Sequence, residues 1–137
     1  MEIHKGRLVD HIHLSVADLA ASRRFYKECL AALGRDLSQD TEHFFIADEL
    51  FVAPAGDSPR THVHLAFQAG SEGEVARFHR TAIENGGTDN GGPGPRDYHP
   101  GYYAAYVLDP DGNNIEAVWH GPADRSAESV VFTLPEG

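Results

Sequence analysis

A histidine-x-histidine strand pattern occurs twice in this chain and constrains its fold more than any other feature. Residues 11–14 read His-Ile-His-Leu, and residues 62–65 read His-Val-His-Leu. Successive side chains of an extended strand point to opposite faces. Each stretch therefore places two histidines on one face and apolar side chains on the other. Two strands of this kind predict two walls of one polar cavity.

The residues that follow each histidine pair are also alike, at nearly the same spacing. Phe25-Tyr26 and Gly34 in the first half match Phe78-His79 and Gly87 in the second half. The pattern predicts two copies of one unit, each a strand, a helix and further strands. We therefore expect a single domain over residues 1–137, built of repeats 8–54 and 61–120 with a C-terminal tail at 121–137.

Length and charge limit the functions that such a chain can have. A chain of 137 residues is enough for one domain with a real core. Its formal net charge of -10 argues against nucleic acid and anionic membrane surfaces as partners, because both require clustered Lys and Arg. The single cysteine, Cys29, excludes an intramolecular disulfide, and its place in a helical pattern predicts a small buried side chain. No apolar run resembles a signal peptide or a membrane span, so we expect a cytoplasmic protein.

Capping residues and glycines mark two helices. Asp18 predicts the N-terminus of the first helix, which runs to Leu33 and ends at Gly34. Ser71 and Glu74 form an S-x-x-E capping box for the second, which ends at residues 86–87. Strands are predicted at residues 8–16, 35–39, 44–47, 50–53, 61–69, 102–108 and 114–120. Residues 55–60 and 90–95 are predicted loops, the second a possible lid; residues 109–113 have hairpin-turn composition, and 130–134 are strand-like with an open role.

One carboxylate stands among apolar neighbours in the last predicted strand. Alternation places Glu116 on one face with Val118 and His120, and burying a carboxylate there is costly unless it is paired or bound to a metal. His11 and His62, from the strands that open the repeats, are the candidate partners. Two imidazoles and a carboxylate suit iron, manganese, nickel or zinc with open coordination positions. The alternative is a set of hydrogen-bonded strand histidines without metal.

The sequence resembles the vicinal oxygen chelate superfamily in three features. They are the order of these elements, the Asp-Leu at 18–19 before Phe25-Tyr26, and residues 109–116, which read Asp-Pro-Asp-Gly-Asn-Asn-Ile-Glu. This superfamily is the group of glyoxalase I, bleomycin-resistance proteins, fosfomycin-resistance enzymes and extradiol dioxygenases. The resemblance covers about residues 8–120. It implies an α+β fold in which two βαβββ repeats form a curled mixed sheet around a metal-binding cup.

The resemblance also implies a ligand set. Metal ligands in such proteins come from the first strand of each unit and the last strand of the second, which here are His11, His62 and Glu116. His13 and His64 would then line the cup wall. A four-ligand glyoxalase site takes a further carboxylate from the last strand of the first unit, but residues 50–53 offer none, and Glu49 at the strand edge is a poor substitute. This departure favours a three-ligand site and argues against lactoylglutathione lyase activity.

The segment at residues 96–103 reads Arg-Asp-Tyr-His-Pro-Gly-Tyr-Tyr and resembles small glyoxalase-like proteins of bacteria. We interpret Tyr98, Tyr102 and Tyr103 as a substrate-binding rim, with His99 or a tyrosine as an acid or base near the metal. The alternative is aromatic packing around a rigid X-Pro-Gly turn.

Two functions from different classes remain open at this point. The first is a divalent-metal-dependent enzyme of the isomerase, lyase or extradiol dioxygenase type, acting on a small substrate that is chelated through vicinal oxygens. In it Glu116 holds the metal, and His64 or His99 moves a proton. The second is a non-catalytic, drug-binding protein of the bleomycin-resistance type; a domain whose activity has decayed is a third reading. A homodimer is expected from the resemblance.

Overall fold

Two copies of a strand, a helix and three strands make up most of the molecule. The computed structural model of the chain describes residues 2–5, 7–133 and 135. Its elements are β1 (Glu2–Lys5), β2 (Ile12–Val16), α1 (Leu19–Ala32), β3 (Gln39–Asp40), β4 (Phe45–Ala47), β5 (Leu50–Pro54), β6 (His64–Gln68), α2 (Glu72–Glu84), β7 (Thr88–Pro95), β8 (Tyr103–Leu108), β9 (Asn114–Trp119) and β10 (Val130–Thr133). The first unit runs from β2 to β5 and the second from β6 to β9.

Each unit folds into a four-stranded mixed sheet of the same topology. The strand order is β2-β5-β4-β3 in the first unit and β6-β9-β8-β7 in the second. In both sheets the first and last strands of the unit pair in parallel and the remaining neighbours are antiparallel. The α+β fold of two βαβββ repeats, expected from the sequence, is confirmed.

Both helices begin where the capping residues predict. The Asp18 carboxylate accepts a hydrogen bond from the Ala21 N–H at 3.2 Å, and the Ser71 hydroxyl accepts one from the Glu74 N–H at 3.1 Å. The Glu74 carboxylate in turn accepts from the Gly70 N–H at 2.8 Å. The first helix ends one residue before the predicted Leu33, followed by Gly34 with a φ of 75°.

The core lies between the two helices and one face of each sheet. It includes fully buried side chains from both units, among them Leu14, Phe25, Phe78 and Ile115. Cys29 belongs to this core, as predicted, and burial raises the pKa of its thiol well above the ordinary value. Each sheet therefore has one face packed on the helices and a second, open face that carries the histidines.

Three predictions of secondary structure need correction. Residues 90–95, predicted to be a loop, belong to β7. This strand accommodates prolines because it lies at the edge of the sheet, and it accommodates glycines because two register shifts interrupt its pairing with β8. The strand predicted at 35–39 is reduced to Gln39–Asp40, because the Arg35 N–H still bonds to the Leu30 carbonyl at the end of α1. The histidine strands are shorter than predicted, 12–16 and 64–68 in place of 8–16 and 61–69.

The strand-like tail pairs with a segment that the sequence did not predict to be a strand. β10 is antiparallel to β1, and the two form a separate two-stranded sheet. The last residue of the predicted strand, Leu134, lies outside the described residues. Across the described chain, neither helix has the length and apolar character that crossing a membrane requires.

The turn at residues 109–113 joins the two units as well as β8 to β9. The buried Asp109 accepts a hydrogen bond from the Tyr26 hydroxyl of α1 at 2.5 Å. Asp111 accepts from the Ala17 N–H at 3.0 Å, and the Asn113 side chain accepts from the Val63 N–H at 2.7 Å. The acidic and amide side chains of this turn therefore hold the first unit and the second histidine strand in place.

Candidate functional site

Glu116 is buried although it lies on the open face of its sheet. The residue is 2% exposed, and its cross-strand partners are Ala66 on β6 and Tyr106 on β8. His64 Nε2 lies 2.8 Å from Glu116 Oε1, and the Tyr102 hydroxyl donates a short hydrogen bond to Oε2. Both carboxylate oxygens are thus engaged, as a buried acid requires.

Tyr102 is held as a hydrogen-bond donor to this carboxylate. Burial, then the hydrogen bond to Glu116 and its charge, raise the pKa of Tyr102 well above the ordinary tyrosine value. A phenol with a raised pKa keeps its proton over the physiological range. The tyrosine therefore orients the carboxylate and leaves Oε1 to His64.

An aromatic wall stands beside Glu116 on the same face. The Tyr106 ring meets His64 edge-on at 6.0 Å, and burial followed by the charge of Glu116 raises the pKa of its hydroxyl. The ring of Tyr98 lies 4.9 Å from that of Tyr102. Tyr103, predicted to share this rim, instead lies on the core-facing side of β8, opposite Trp119.

His99 forms a pair with a histidine that the sequence analysis assigned no role. His99 Nε2 is 2.8 Å from His120 Nδ1, and the two rings are nearly coplanar, with centroids 5.1 Å apart. Rings placed end to end in this way share an in-plane N–H···N hydrogen bond rather than a stacking contact. Because His99 Nδ1 donates to the Pro100 carbonyl at 2.9 Å, the shared proton lies on His120 and leaves His120 Nε2 as the open nitrogen.

The strand pattern contained a signal for His120. Alternation along the last strand had grouped it with Glu116 and Val118, and the pair packs against the Tyr102 ring at 5.4 Å from each histidine. What the sequence could not contain is the contact with His99, which depends on the fold of the connection between β7 and β8.

The remaining predicted ligands make no hydrogen bond or ion pair with Glu116 in the described residues. His11 is exposed, with Nδ1 2.7 Å from the Asp10 carboxylate, and His13 on the first sheet meets the Phe51 ring edge-on at 4.9 Å. His62 is exposed and precedes β6. Within the described residues, no three or more His, Cys, Asp and Glu side chains come together as a metal-holding group. One chain thus brings together His64 and Glu116, and leaves the first-unit histidines on the other sheet.

The repeat explains why the first unit offers no carboxylate. His13 and His64 occupy matching positions of the histidine pattern, and each pairs with a parallel last strand. His64 lies opposite Asn114, and Glu116 is two residues further along that strand. His13 lies opposite Phe51, and the residue two positions further along is Ala53. The missing fourth carboxylate noted in the sequence is therefore an alanine at the symmetry-related position.

The open face of the first sheet is largely apolar. A cavity of about 350 Å³ there is lined by His11, His13, Ile46, Asp48 and Phe51. The Phe44 ring stacks on Phe51 with centroids 5.2 Å apart. One sheet thus presents imidazoles with apolar rings, and the other presents a carboxylate with an imidazole and phenols.

Comparisons with known proteins define the class of this fold and site. The family model of the glyoxalase/bleomycin resistance protein/dioxygenase superfamily matches residues 8–117. The chain belongs to that superfamily. No curated protein matches it.

Among solved structures, a glyoxalase/bleomycin resistance protein from Albidiferax ferrireducens is 34% identical, with a TM-score of 0.68 over 81% of this chain and 98% of that one. A glyoxalase-related enzyme from Fulvimarina pelagi is 24% identical, with a TM-score of 0.62 over 82% and 87% of the two chains. A lactoylglutathione lyase from Agrobacterium tumefaciens is 19% identical, with a TM-score of 0.59 over 80% and 91%. The last two likenesses establish the fold alone. The residues that match the family model begin after β1 and end before β10, so the two-stranded sheet formed by β1 and β10 lies outside the matched domain.

Proposed function

We propose that this protein is a divalent-metal-dependent enzyme of the superfamily, acting on a small substrate that binds the metal through neighbouring oxygens. The single observation that carries the proposal is the contact of 2.8 Å between His64 Nε2 and Oε1 of the buried Glu116. In this proposal His64 and Glu116 supply two metal ligands. The sequence had favoured His62, two residues away on the same face; both histidines are exposed, and in the described chain it is His64 that contacts Glu116.

The chemistry around Glu116 fits a bound cation. The carboxylate is 2% exposed, yet its partners in the described chain are an imidazole and a phenol rather than Lys or Arg. A buried carboxylate is stabilised by a positive charge, and an imidazole nitrogen beside a carboxylate oxygen suits iron, manganese, nickel or zinc. When bound, the metal would act as a Lewis acid on the substrate oxygens.

We assign separate roles to the groups around the ligands. Tyr102 holds Glu116 Oε2, so that Oε1 and His64 Nε2 stay together. The nitrogen of His64 that would bind the metal could not also act as a base, so the proton-transfer role expected for His64 or His99 falls to the His99–His120 pair. His120 Nε2 is the open nitrogen of that pair and accepts the proton.

The third ligand in this proposal comes from a second copy of the chain. Both sheets leave one face open, the first with His11 and His13 beside Phe51, the second with His64 and Glu116. A symmetric dimer, the commonest oligomer, would set the first-unit face of one copy over the second-unit face of the other. Such a cup brings a first-unit imidazole to the His64–Glu116 pair and covers the apolar rings.

Metal content tests the ligand assignment directly. Purified without chelator and then reconstituted with each of the four metals, the wild-type protein should bind metal near one equivalent per chain, measured by elemental analysis. His64→Ala and Glu116→Gln should lose it, because the first removes a nitrogen donor and the second removes the negative charge of the oxygen donor, whereas the matched variant His62→Ala should retain it. Loss in His62→Ala with retention in His64→Ala would restore the ligand set expected from the sequence. No metal in the wild type after reconstitution would refute metal dependence.

A non-catalytic binding protein is the second candidate, favoured by the half-exposed Phe44–Phe51 stack and the tyrosines of the facing wall. Rings at the surface of an open cup suit an aromatic ligand as well as they suit substrate. Calorimetry of the chelator-treated protein with an aromatic bleomycin-type drug separates the two. Tight binding without metal would favour the binder, and binding that requires metal would favour the enzyme.

A further inference from the structure

A second cavity, of about 780 Å³, lies at the edge of the second sheet, where α2 and β8 begin and β9 ends. Tyr103 and Trp119 line it and lie directly opposite each other on neighbouring strands. Both are half-buried against the core, on the side of the sheet that faces away from Glu116. Tyr98, His99 and Tyr102 line the cavity as well, so it borders the groups around Glu116, but its Tyr103–Trp119 floor lies on the other face of the sheet from the His64–Glu116 pair.

Two carboxylates line the same cavity. Glu72 comes from the first turn of α2, and Asp97 comes from the connection between β7 and β8. In the described part of the chain, no ion pair or side-chain hydrogen bond engages either carboxylate. Both are exposed, so each can turn toward a bound cation at small cost.

The basic side chain that borders this cavity is turned to other partners. The Arg96 guanidinium donates to the carbonyl oxygens of Gly92 and Gly94 and lies 5.2 Å from the centroid of the Tyr106 ring, on the Glu116 side of the sheet. His99, also on the cavity wall, has its two nitrogens committed to Pro100 and His120. Two uncommitted carboxylates and an aromatic floor thus set the electrostatic character of this cavity.

We propose that this cavity binds a small organic ammonium ion, with the cationic head over Trp119 and Tyr103 and between Glu72 and Asp97. Aromatic faces attract ammonium groups through their negative quadrupoles, and Trp does so most strongly. The carboxylates add attraction for a cation and repel anions, and the net charge of -10 raises the local concentration of cations. A ligand of this kind requires neither the metal nor Glu116.

Trp119 is the only tryptophan of the chain, so its fluorescence reports on the floor of this cavity. The same side chain also borders a neighbouring cavity of about 650 Å³, which Glu72 and Asp97 do not line, so the charge-removing variants below distinguish the two. We would titrate the protein with choline at constant ionic strength. 3,3-Dimethyl-1-butanol, which has a carbon atom in place of the charged nitrogen, is the matched neutral probe. A saturable change in Trp119 emission is expected with choline, with affinity for the neutral probe weaker by about tenfold or more. Broadening of the choline methyl resonance in proton NMR gives a readout that does not depend on tryptophan.

Charge-removing variants complete the test. Glu72→Gln combined with Asp97→Asn should weaken choline binding about tenfold, because it removes two exposed charges that attract the cation. The control Glu84→Gln, at the far end of α2, should leave it unchanged. Treatment with a chelator, and His64→Ala, should also leave it unchanged, because His64 does not line this cavity, so this proposal and the metal site can fail separately. Equal affinity for the neutral probe, no saturable response in either readout, or full binding by the double variant would each overturn the proposal.

Discussion

The hydroxyl of Tyr102 is the residue-scale feature that most affects the proposed metal site, because it fixes one oxygen of Glu116. Tyr102→Phe removes that hydrogen bond and retains the ring that packs on Tyr98. Removing a side chain that hydrogen-bonds to a metal ligand typically lowers metal affinity by about 10- to 100-fold, so we expect Tyr102→Phe to lower metal affinity by a factor in this range. Competition with a chromophoric chelator measures it.

Tyr103→Phe is the matched control for that variant, since Tyr103 is the next residue, at the start of β8, and its side chain lies on the core-facing side of the sheet, opposite Trp119. It should keep wild-type metal affinity. If both tyrosine variants weaken metal binding alike, the effect comes from a disturbance of the segment at the start of β8 and not from the hydrogen bond to Glu116.

A second residue-scale prediction concerns the exposed Asp89 of β7, whose side chain contacts His79 of α2. The hydrogen bond from His79, 2.8 Å away, and one from the Gly91 N–H lower the pKa of Asp89 in the folded protein. A carboxylate whose pKa is lowered by folding stabilises the native state above its unfolded pKa of about 3.9, and loses that contribution as the pH falls through the folded value. Asp89→Asn should therefore be less stable than wild type at pH 7, with the difference shrinking near pH 3.

Urea denaturation at the two pH values checks that prediction. Asp97→Asn, which removes a carboxylate with no partner in the described chain, is the control and should show no such pH-dependent difference. A difference for Asp89→Asn that stays constant from pH 7 to pH 3 would contradict the proposed role of the His79 contact.

At the scale of elements, the turn at residues 109–113 makes a prediction about stability. The Tyr26 hydroxyl donates to the buried Asp109, and burial followed by the charge of Asp109 raises the pKa of that phenol. Tyr26→Phe leaves a buried carboxylate with one partner fewer, which costs on the order of 1–3 kcal/mol of unfolding free energy. Chemical denaturation measures it, with Tyr98→Phe, at a 72% exposed tyrosine, as the control. A loss below about 0.5 kcal/mol would show that the other contacts of the turn, such as those of Asp111 and Asn113, hold it without the Tyr26 hydrogen bond.

The elements themselves were predictable where local chemistry decides them. Asp18 and Ser71 capped their helices as expected, and alternation put Leu14 and Ile115 in the core, because caps and periodicity are properties of a few neighbouring residues. β7 was missed because its glycines and prolines favour loops, and only pairing with β8 makes the segment a strand.

The residues of the candidate site also fall into those that the sequence could predict and those that it could not. The selection of Glu116 and of the two histidine strands followed from residue type and strand parity. The choice of His64 over His62 in the Glu116 contact depends on where β6 begins and on its register with β9, which the sequence does not encode locally. The His99–His120 pair likewise depends on a connection whose path only tertiary contacts determine.

At the scale of the whole molecule, the two open sheet faces make a prediction about assembly. If one cup is formed from two chains, its first-unit histidines and its His64–Glu116 pair belong to different copies. A chain with both His11→Ala and His13→Ala would then lack one half of each cup, and a chain with His64→Ala would lack the other half. Neither variant alone should bind metal at the site.

Mixed dimers of these two variants decide where the cup lies. With a different affinity tag on each chain, the mixed dimer can be isolated and its metal content compared with that of wild type. In a cup shared between copies, one of the two cups in the mixed dimer has all its donors, so it should bind half the wild-type amount of metal. In a cup formed within one chain, every cup lacks a donor and the mixed dimer should bind none. Light scattering establishes that the isolated species is a dimer. A monomeric wild-type protein that still binds metal would contradict the shared cup, because within one chain the first-unit histidines lie on a different sheet from Glu116.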